Sequence, residues 1–231
     1  MSIDAGEAQD GAEGVEVRLS GLRRTGAKRM VLAWQAPVFH LTVEVNMTQA
    51  SRVKSIDPSA TVTDVIIRAA AAALIEVPEV NVHVGEESLT QFSSANVGIA
   101  VASPKGLVVP IVHAAQNLTL SQISEARADI VNRARTGALT RADITAGTFT
   151  ISNLGMMGVA RFDAILNVPQ AAILAVGATI KRYVLAGDGT PAWVPMAEFT
   201  LTCDHRALDG AIGANFLGAL KRNLESAWDE D

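Results

Sequence analysis

The apolar run Phe199-Thr200-Leu201-Thr202-Cys203 passes through Asp204-His205-Arg206-Ala207-Leu208-Asp209-Gly210 into a segment of helical periodicity. In that segment Ile212, Phe216, Leu217, Leu220 and Leu224 share one face, and the spacing predicts a helix from about Asp209 to Trp228. A strand ending on His205 and a helix opening near Asp209 place an imidazole at the edge of a sheet, where it can serve as a general base. The same alternation of short strands and longer helices recurs along the chain. Helices are predicted over Gly21 to Gln35, Val62 to Ile75 and Leu120 to Arg135. Strands are predicted over Val38 to Val45, Val80 to Val84, Ala95 to Val101, Leu107 to Val112, Thr148 to Ile151 and Ala171 to Val176. Strands interleaved with helices that return to one sheet give an α/β class with layered packing.

The chain has 231 residues, enough for one sizeable core, and shows no internal repeat. It is 49% hydrophobic and 19% charged, yet no apolar run reaches the length of a membrane span. The surplus of apolar residues therefore suits a subunit interface better than a bilayer. A net charge of −5 gives no reason to expect nucleic acid or an anionic membrane as partner. An anionic small molecule would need local cations such as Arg23, Arg24, Lys105 or Lys181. The acidic start MSIDAGEAQDGAEG lacks the basic and apolar regions of a signal peptide, so a cytoplasmic protein is the default, with residues 1–15 a disordered leader and 16–231 the folded domain. Cys203 is the single cysteine, which excludes an internal disulfide or a cysteine metal site. Its place in an apolar strand pattern reads as a buried core thiol.

Four segments in order, LSGLRRTGAKRM (19–30), SPKGLVVPIV (103–112), GTFTISNLGMMGVARFDAILNVPQAAILAVGA (147–178) and DHRALDG (204–210), resemble the dihydrolipoamide acyltransferase catalytic domain. That domain is the core of 2-oxo acid dehydrogenase complexes, with chloramphenicol acetyltransferase a more distant relative. The resemblance spans residues 16–228. It implies a two-layer sandwich of a mixed β-sheet and helices, chloramphenicol-acetyltransferase-like, assembled as homotrimers with active sites between subunits. It implies acyl-CoA as a substrate and no metal.

Acyl transfer from a thioester needs a base for the acceptor's proton, a donor to the tetrahedral oxyanion, and a frame that holds both. The resemblance makes His205 the base and Ser152 the oxyanion donor, with Asn153 in support. It makes Asp209 a residue that pairs with an arginine, best matched by Arg23 with Arg24 as the alternative, and holds the site's geometry. Read from the residues alone, Asp209 is also a simple helix cap beside Gly210. Asn167-Val168-Pro169-Gln170 resembles the family's Asn-Pro-Pro-Gln stretch on the cofactor side of the channel. Relatives carry Ile-Pro-His where this chain has Ala36-Pro37-Val38, and His40 lies two residues on, on the same strand face. The acceptor end of the channel is where this departure bears.

Two readings of the activity follow. Fifteen leading residues have no room for a lipoyl or subunit-binding domain, since autonomous domains need about 40. The acidic terminus Leu224-Glu225-Ser226-Ala227-Trp228-Asp229-Glu230-Asp231 differs from the apolar tail that docks trimers of relatives together. Both features favour a standalone trimer, with no covalently attached lipoyl group, that acylates a small-molecule hydroxyl or thiol. Similar proteins acetylate a tetronate alcohol in polyketide pathways. The alternative is the catalytic core of a 2-oxo acid dehydrogenase complex, passing acyl groups between dihydrolipoamide on a lipoyl domain and CoA.

Overall fold

A computed structural model describes residues 14–104, 106–185 and 189–226. Residues 1–13 of the expected leader, Lys105, and the terminal residues from 227 onward, Trp228 among them, lie outside that description.

The helices are α1 (Gly21–Trp34), α2 (Val53–Ile56), α3 (Val62–Glu76), α4 (Leu120–Thr136) and α5 (Gly210–Glu225). The first strands are β1 (Val38–Asn46), β2 (Val82–Val84), β3 (Leu89–Gln91), β4 (Val97–Ile99), β5 (Val101–Ser103) and β6 (Gly106–Val108). They are followed by β7 (Ile111–Val112), β8 (Phe149–Asn153), β9 (Ala172–Val176), β10 (Ile180–Leu185) and β11 (Pro191–Asp204).

The main sheet runs in the order β1-β11-β9-β8-β4-β7, with β10 pairing the first half of β11. β8 is parallel to both β9 and β4, while β1, β9 and β10 pair β11 antiparallel, so the sheet is mixed as the sequence resemblance implies. The 14-residue β11 is its spine, long enough to hold β10 and then β9 on one edge and β1 along the other.

Helices α3, α4 and α5 cover one face. Phe39, Leu41 and Val43 of β1, together with Phe199, Leu201 and Cys203 of β11, face α5, where Phe216, Leu217, Leu220 and Leu224 complete the core. The closest approach is at Gly213, where a Cβ would lie 2.7 Å from Leu41 Cδ1. A larger residue at that position would press on the Leu41 side chain and the Cys203 sulfur.

Local signals set the helix ends. Thr119 and Gln122 form a reciprocal capping box at the start of α4, and Gly137 closes it in the left-handed conformation at φ 74°. Asp64 does the same work for α3 with Thr61; fully buried, it also receives Arg127 of α4, which ties the two helices together.

The opposite face of the sheet carries the even-numbered partners: Thr42 opposite Thr200, His40 opposite Thr202, Val38 opposite Asp204. A smaller apolar cluster covers part of it. Ala33 and Ala36, at and just beyond the end of α1, meet Ala164, Leu166, Ile173 and Ala175 there.

Candidate functional site

The residues after Cys203 form a tight, hydrogen-bonded turn. The carbonyl of Asp204 accepts the N–H groups of Ala207 and Leu208, each at 3.0 Å. The N–H of His205 donates to the carbonyl of Pro37 at 2.8 Å, tying the turn to the residue before β1. The His205 ring leans on Phe39 with centroids 4.8 Å apart, and the side chain is exposed. An exposed imidazole with a fixed backbone and one supported ring face can exchange protons with a bound substrate.

Asp209 stands at the N-cap of α5, its Oδ1 accepting the Ile212 N–H at 2.9 Å. The helix-cap role is therefore the one the chain itself displays. Arg23 lies elsewhere, in the first turn of α1 against Gly106 of β6, so this single chain does not bring the two together.

Ser152 is half-buried at the fourth position of β8, opposite Ala175, on the face away from the helices. Asn153, one residue on, turns to the other side. Its Nδ2 donates to Thr63 Oγ1 at 3.4 Å and its Oδ1 accepts the Gly155 N–H at 2.9 Å, so it shapes the turn that follows Ser152. Asn167 donates from Nδ2 to Thr150 Oγ1 at 3.1 Å. The Thr150 hydroxyl in turn donates to Gln170 Oε1 at 2.5 Å, and Gln170 Nε2 donates to the Gly147 carbonyl. This chain of bonds fastens the Asn167–Gln170 segment, which contains a cis Val168–Pro169 bond, to the strand that carries Ser152. Sequence reading found Asn167 but not Thr150 or His83, whose Nε2 lies 3.0 Å from the same Gly147 carbonyl.

His40 lies on β1 with its Nδ1 3.0 Å from Thr202 Oγ1, as the two-residue strand period requires. Cys203 is fully buried, and burial pushes its thiol up to about 12, which keeps it un-ionised at neutral pH and out of nucleophilic chemistry. Lys181 is on the exposed hairpin strand β10. Among the described residues no group of three or more His, Cys, Asp or Glu could hold a metal ion, and no helix is long and apolar enough to cross a membrane.

Ser152 and His205 are well separated within one chain. Ser152 is level with Ala175 and so with Thr200, two strands away and five residues before His205. At about 3.3 Å per residue and about 4.8 Å per strand, the gap is roughly 20 Å.

The family model for the 2-oxoacid dehydrogenases acyltransferase catalytic domain matches residues 11–229. The acetyltransferase component of the pyruvate dehydrogenase complex of Rickettsia felis is 37% identical over 217 residues, covering 90% of this chain and 52% of that protein. The chain thus spans about half the length of the curated relatives it matches. A probable dihydrolipoamide acetyltransferase from Listeria monocytogenes superposes with a TM-score of 0.88 at 32% identity, covering 93% of this chain and 96% of that one. The Azotobacter vinelandii dihydrolipoamide acetyltransferase does so at 0.89 and 26% identity, with 97% of each chain covered. The mechanism of that enzyme has been probed through a serine, a histidine and an asparagine four residues after the histidine. Chloramphenicol acetyltransferase shares the fold, at a TM-score of 0.58 and 14% identity, covering 85% of this chain and 94% of that one.

Proposed function

Because the chain belongs to the 2-oxoacid dehydrogenase acyltransferase catalytic-domain family, we propose that it moves an acyl group, in the first instance acetyl, between coenzyme A and a dihydrolipoyl thiol. The observation that carries this reading is His205, an exposed imidazole held at a strand-to-helix turn, four residues before Asp209. The A. vinelandii enzyme has its histidine and asparagine at the same spacing.

The chemistry follows from the groups present. His205 takes the proton from the attacking thiol, and the thiolate adds to the thioester carbonyl. The oxyanion so formed accepts a hydrogen bond from the Ser152 hydroxyl. Collapse of the tetrahedral species expels the other sulfur as a thiolate, and His205 returns the proton to it. Asp209, as the cap of α5, holds the far end of the turn that presents His205. Asn153 and Asn167 act one step back, fixing the turn after Ser152 and the segment beside it.

Two groups roughly 20 Å apart cannot serve one carbonyl, which needs both within about 3 Å. The working site is therefore assembled between two copies of the chain, Ser152 from one and His205 from another. A homotrimer is the assembly proposed, with residues 16–231 acting as one catalytic domain in the cytoplasm. The pairing of Arg23 with Asp209 is proposed across the same interface.

The curated relatives carry the names of dehydrogenase-complex components, and this moves the acceptor. Acylation of a free hydroxyl by a standalone enzyme, tetronate acetylation included, is the reading the sequence favoured; the dihydrolipoyl thiol replaces it here, presented by a lipoyl domain as partner.

The test is release of free CoA from acetyl-CoA in the presence of dihydrolipoamide at neutral pH. Turnover by the wild-type protein and its loss in a folded His205→Ala variant is the expected result. Full activity in that variant overturns the mechanism. Binding of acetyl-CoA without turnover of the dithiol overturns the choice of acceptor and returns the search to hydroxyl compounds.

A further inference from the structure

We infer that Asp204 and Arg206, the residues on either side of the proposed base, form a clamp whose task is to position His205. The inference rests on the assignment of His205 above. Asp204 is a carboxylate only 1% exposed, at the last position of β11. Both its oxygens are engaged by the residue two positions on. Oδ1 accepts the backbone N–H of Arg206 at 3.0 Å and its Nε–H at 3.0 Å, and Oδ2 accepts an Nη2–H at 2.6 Å. The backbone from 204 to 206 is thereby closed into a ring of side-chain bonds with His205 at its apex.

The location of this pair argues for positioning over plain stability. Burying the Asp204 carboxylate costs desolvation that offsets much of its attraction to the half-exposed Arg206, so the pair adds little net stability. What it supplies is a fork of directional bonds with one geometry. Every other restraint on His205 acts at a different atom. Pro37 accepts its N–H, Phe39 supports one face of its ring, and Asp209 anchors the start of α5 beyond it. The Asp204–Arg206 fork joins the side chains on both sides of its Cα, beside the Asp204 carbonyl that accepts the Ala207 and Leu208 N–H groups. The Arg206 side chain is about half exposed, so water can still reach the imidazole beside it. Rate is steeply sensitive to such placement, since a misplacement of about 1 Å can cost about 100-fold.

The experiment compares Asp204→Ala, Asp204→Asn, Arg206→Lys and Arg206→Met in the CoA-release assay at saturating acetyl-CoA and dihydrolipoamide, with His205→Ala alongside and each variant's fold checked by thermal melting. The expected result is a kcat lowered by about 10- to 100-fold in Asp204→Ala, with both KM values within about twofold of wild type. Asp204→Asn retains more of the rate because its amide oxygen still accepts the Arg206 N–H. Arg206→Lys, which keeps the charge, outperforms Arg206→Met. If Asp204→Ala fails to fold, Asp204→Asn and Arg206→Lys give the same reading. A folded variant of either residue with wild-type kcat, or with raised KM and unchanged kcat, overturns the clamp. An active His205→Ala variant would instead overturn the proposed function, and the two failures are told apart in one set of assays.

Discussion

Ser152 and His205 make different demands on the transition state, and their variants separate accordingly. Removing the Ser152 hydroxyl takes away one donor to the oxyanion, so Ser152→Ala lowers kcat by about 10²- to 10³-fold with KM for acetyl-CoA nearly unchanged. A raised KM with unchanged kcat would assign Ser152 to binding instead. Cys203 provides the contrast. Its thiol is fully buried against α5, so Cys203→Ala keeps wild-type kcat and costs about 1 kcal/mol of stability, read as a lowered Tm. A large rate loss in a stably folded Cys203→Ala protein would refute the inert reading. His205, Ser152 and Asp209 could be singled out as candidates in the sequence because each lies in a short motif that resembles the family's. The Asp204–Arg206 fork could not be read there, although both residues lie in DHRALDG, because residues at i and i+2 of a strand share a face but stand about 7 Å apart, and only the turn that ends β11 draws Arg206 back onto the Asp204 carboxylate. Asn153, expected in a supporting role, lies on the face opposite Ser152, as period-2 geometry requires, and bonds Thr63 and Gly155 there.

Seven of the sequence-predicted elements, α1, β1, α3, α4, β8, β9 and α5, fall close to their expected limits, the helices because caps and periodicity agree there. The strands fared unevenly. Val80 begins in a short 3-10 turn from Pro78, and the runs 95–101 and 107–112 are each split in two, the second at Pro110, whose missing N–H interrupts the ladder. β10 and the first half of β11 went unread. Their residues are exposed or half-buried with no clear apolar face, and Pro191 and Pro195 argue against a strand until its position at a hairpin is known. The end of α4 offers a test at this scale. Arg133 binds both Asp129 in its own helix and Asp143 in the following loop, where Thr140 also donates two bonds to the same carboxylate. Arg133, foremost, and then Thr140 hold the Asp143 carboxyl well below the usual carboxylate range. A depressed folded-state pKa contributes stability that is complete above the unfolded value of about 3.9 and is lost as pH falls through the folded value. Asp143→Asn therefore lowers Tm at pH 7 and equally at pH 5, and the gap to wild type closes only below about pH 4. A gap that stayed constant down to pH 2 would mean that the hydrogen-bond geometry, not the charge, carries the contact.

The surface of the whole molecule returns to the apolar excess noted in its composition. Leu22, Val31, Leu32 and Trp34 of α1 are exposed, as is Val38 at the start of β1 beside the His205 turn, and Trp34 is 78% exposed. Large side chains this open, close to a residue proposed to act with a distant Ser152, are what a face covered by another copy would leave on a single chain. The proposal that each site takes Ser152 from one copy and His205 from its neighbour has a consequence that no within-chain site shares. A Ser152→Ala chain still offers His205, and a His205→Ala chain still offers Ser152. Each is inactive as a homo-oligomer, yet mixing them in equal amounts and reassembling places an intact serine against an intact histidine at some interfaces. In a ring with one such contact per neighbouring pair, random assortment makes about one interface in four competent, so activity returns to about a quarter of wild type. Mixing without subunit exchange gives none, which controls for contamination. If reassembled mixtures stay inactive while wild-type chains carried through the same treatment recover, the two groups act within one chain, and the chain must then bend far from the structure described to bring them together.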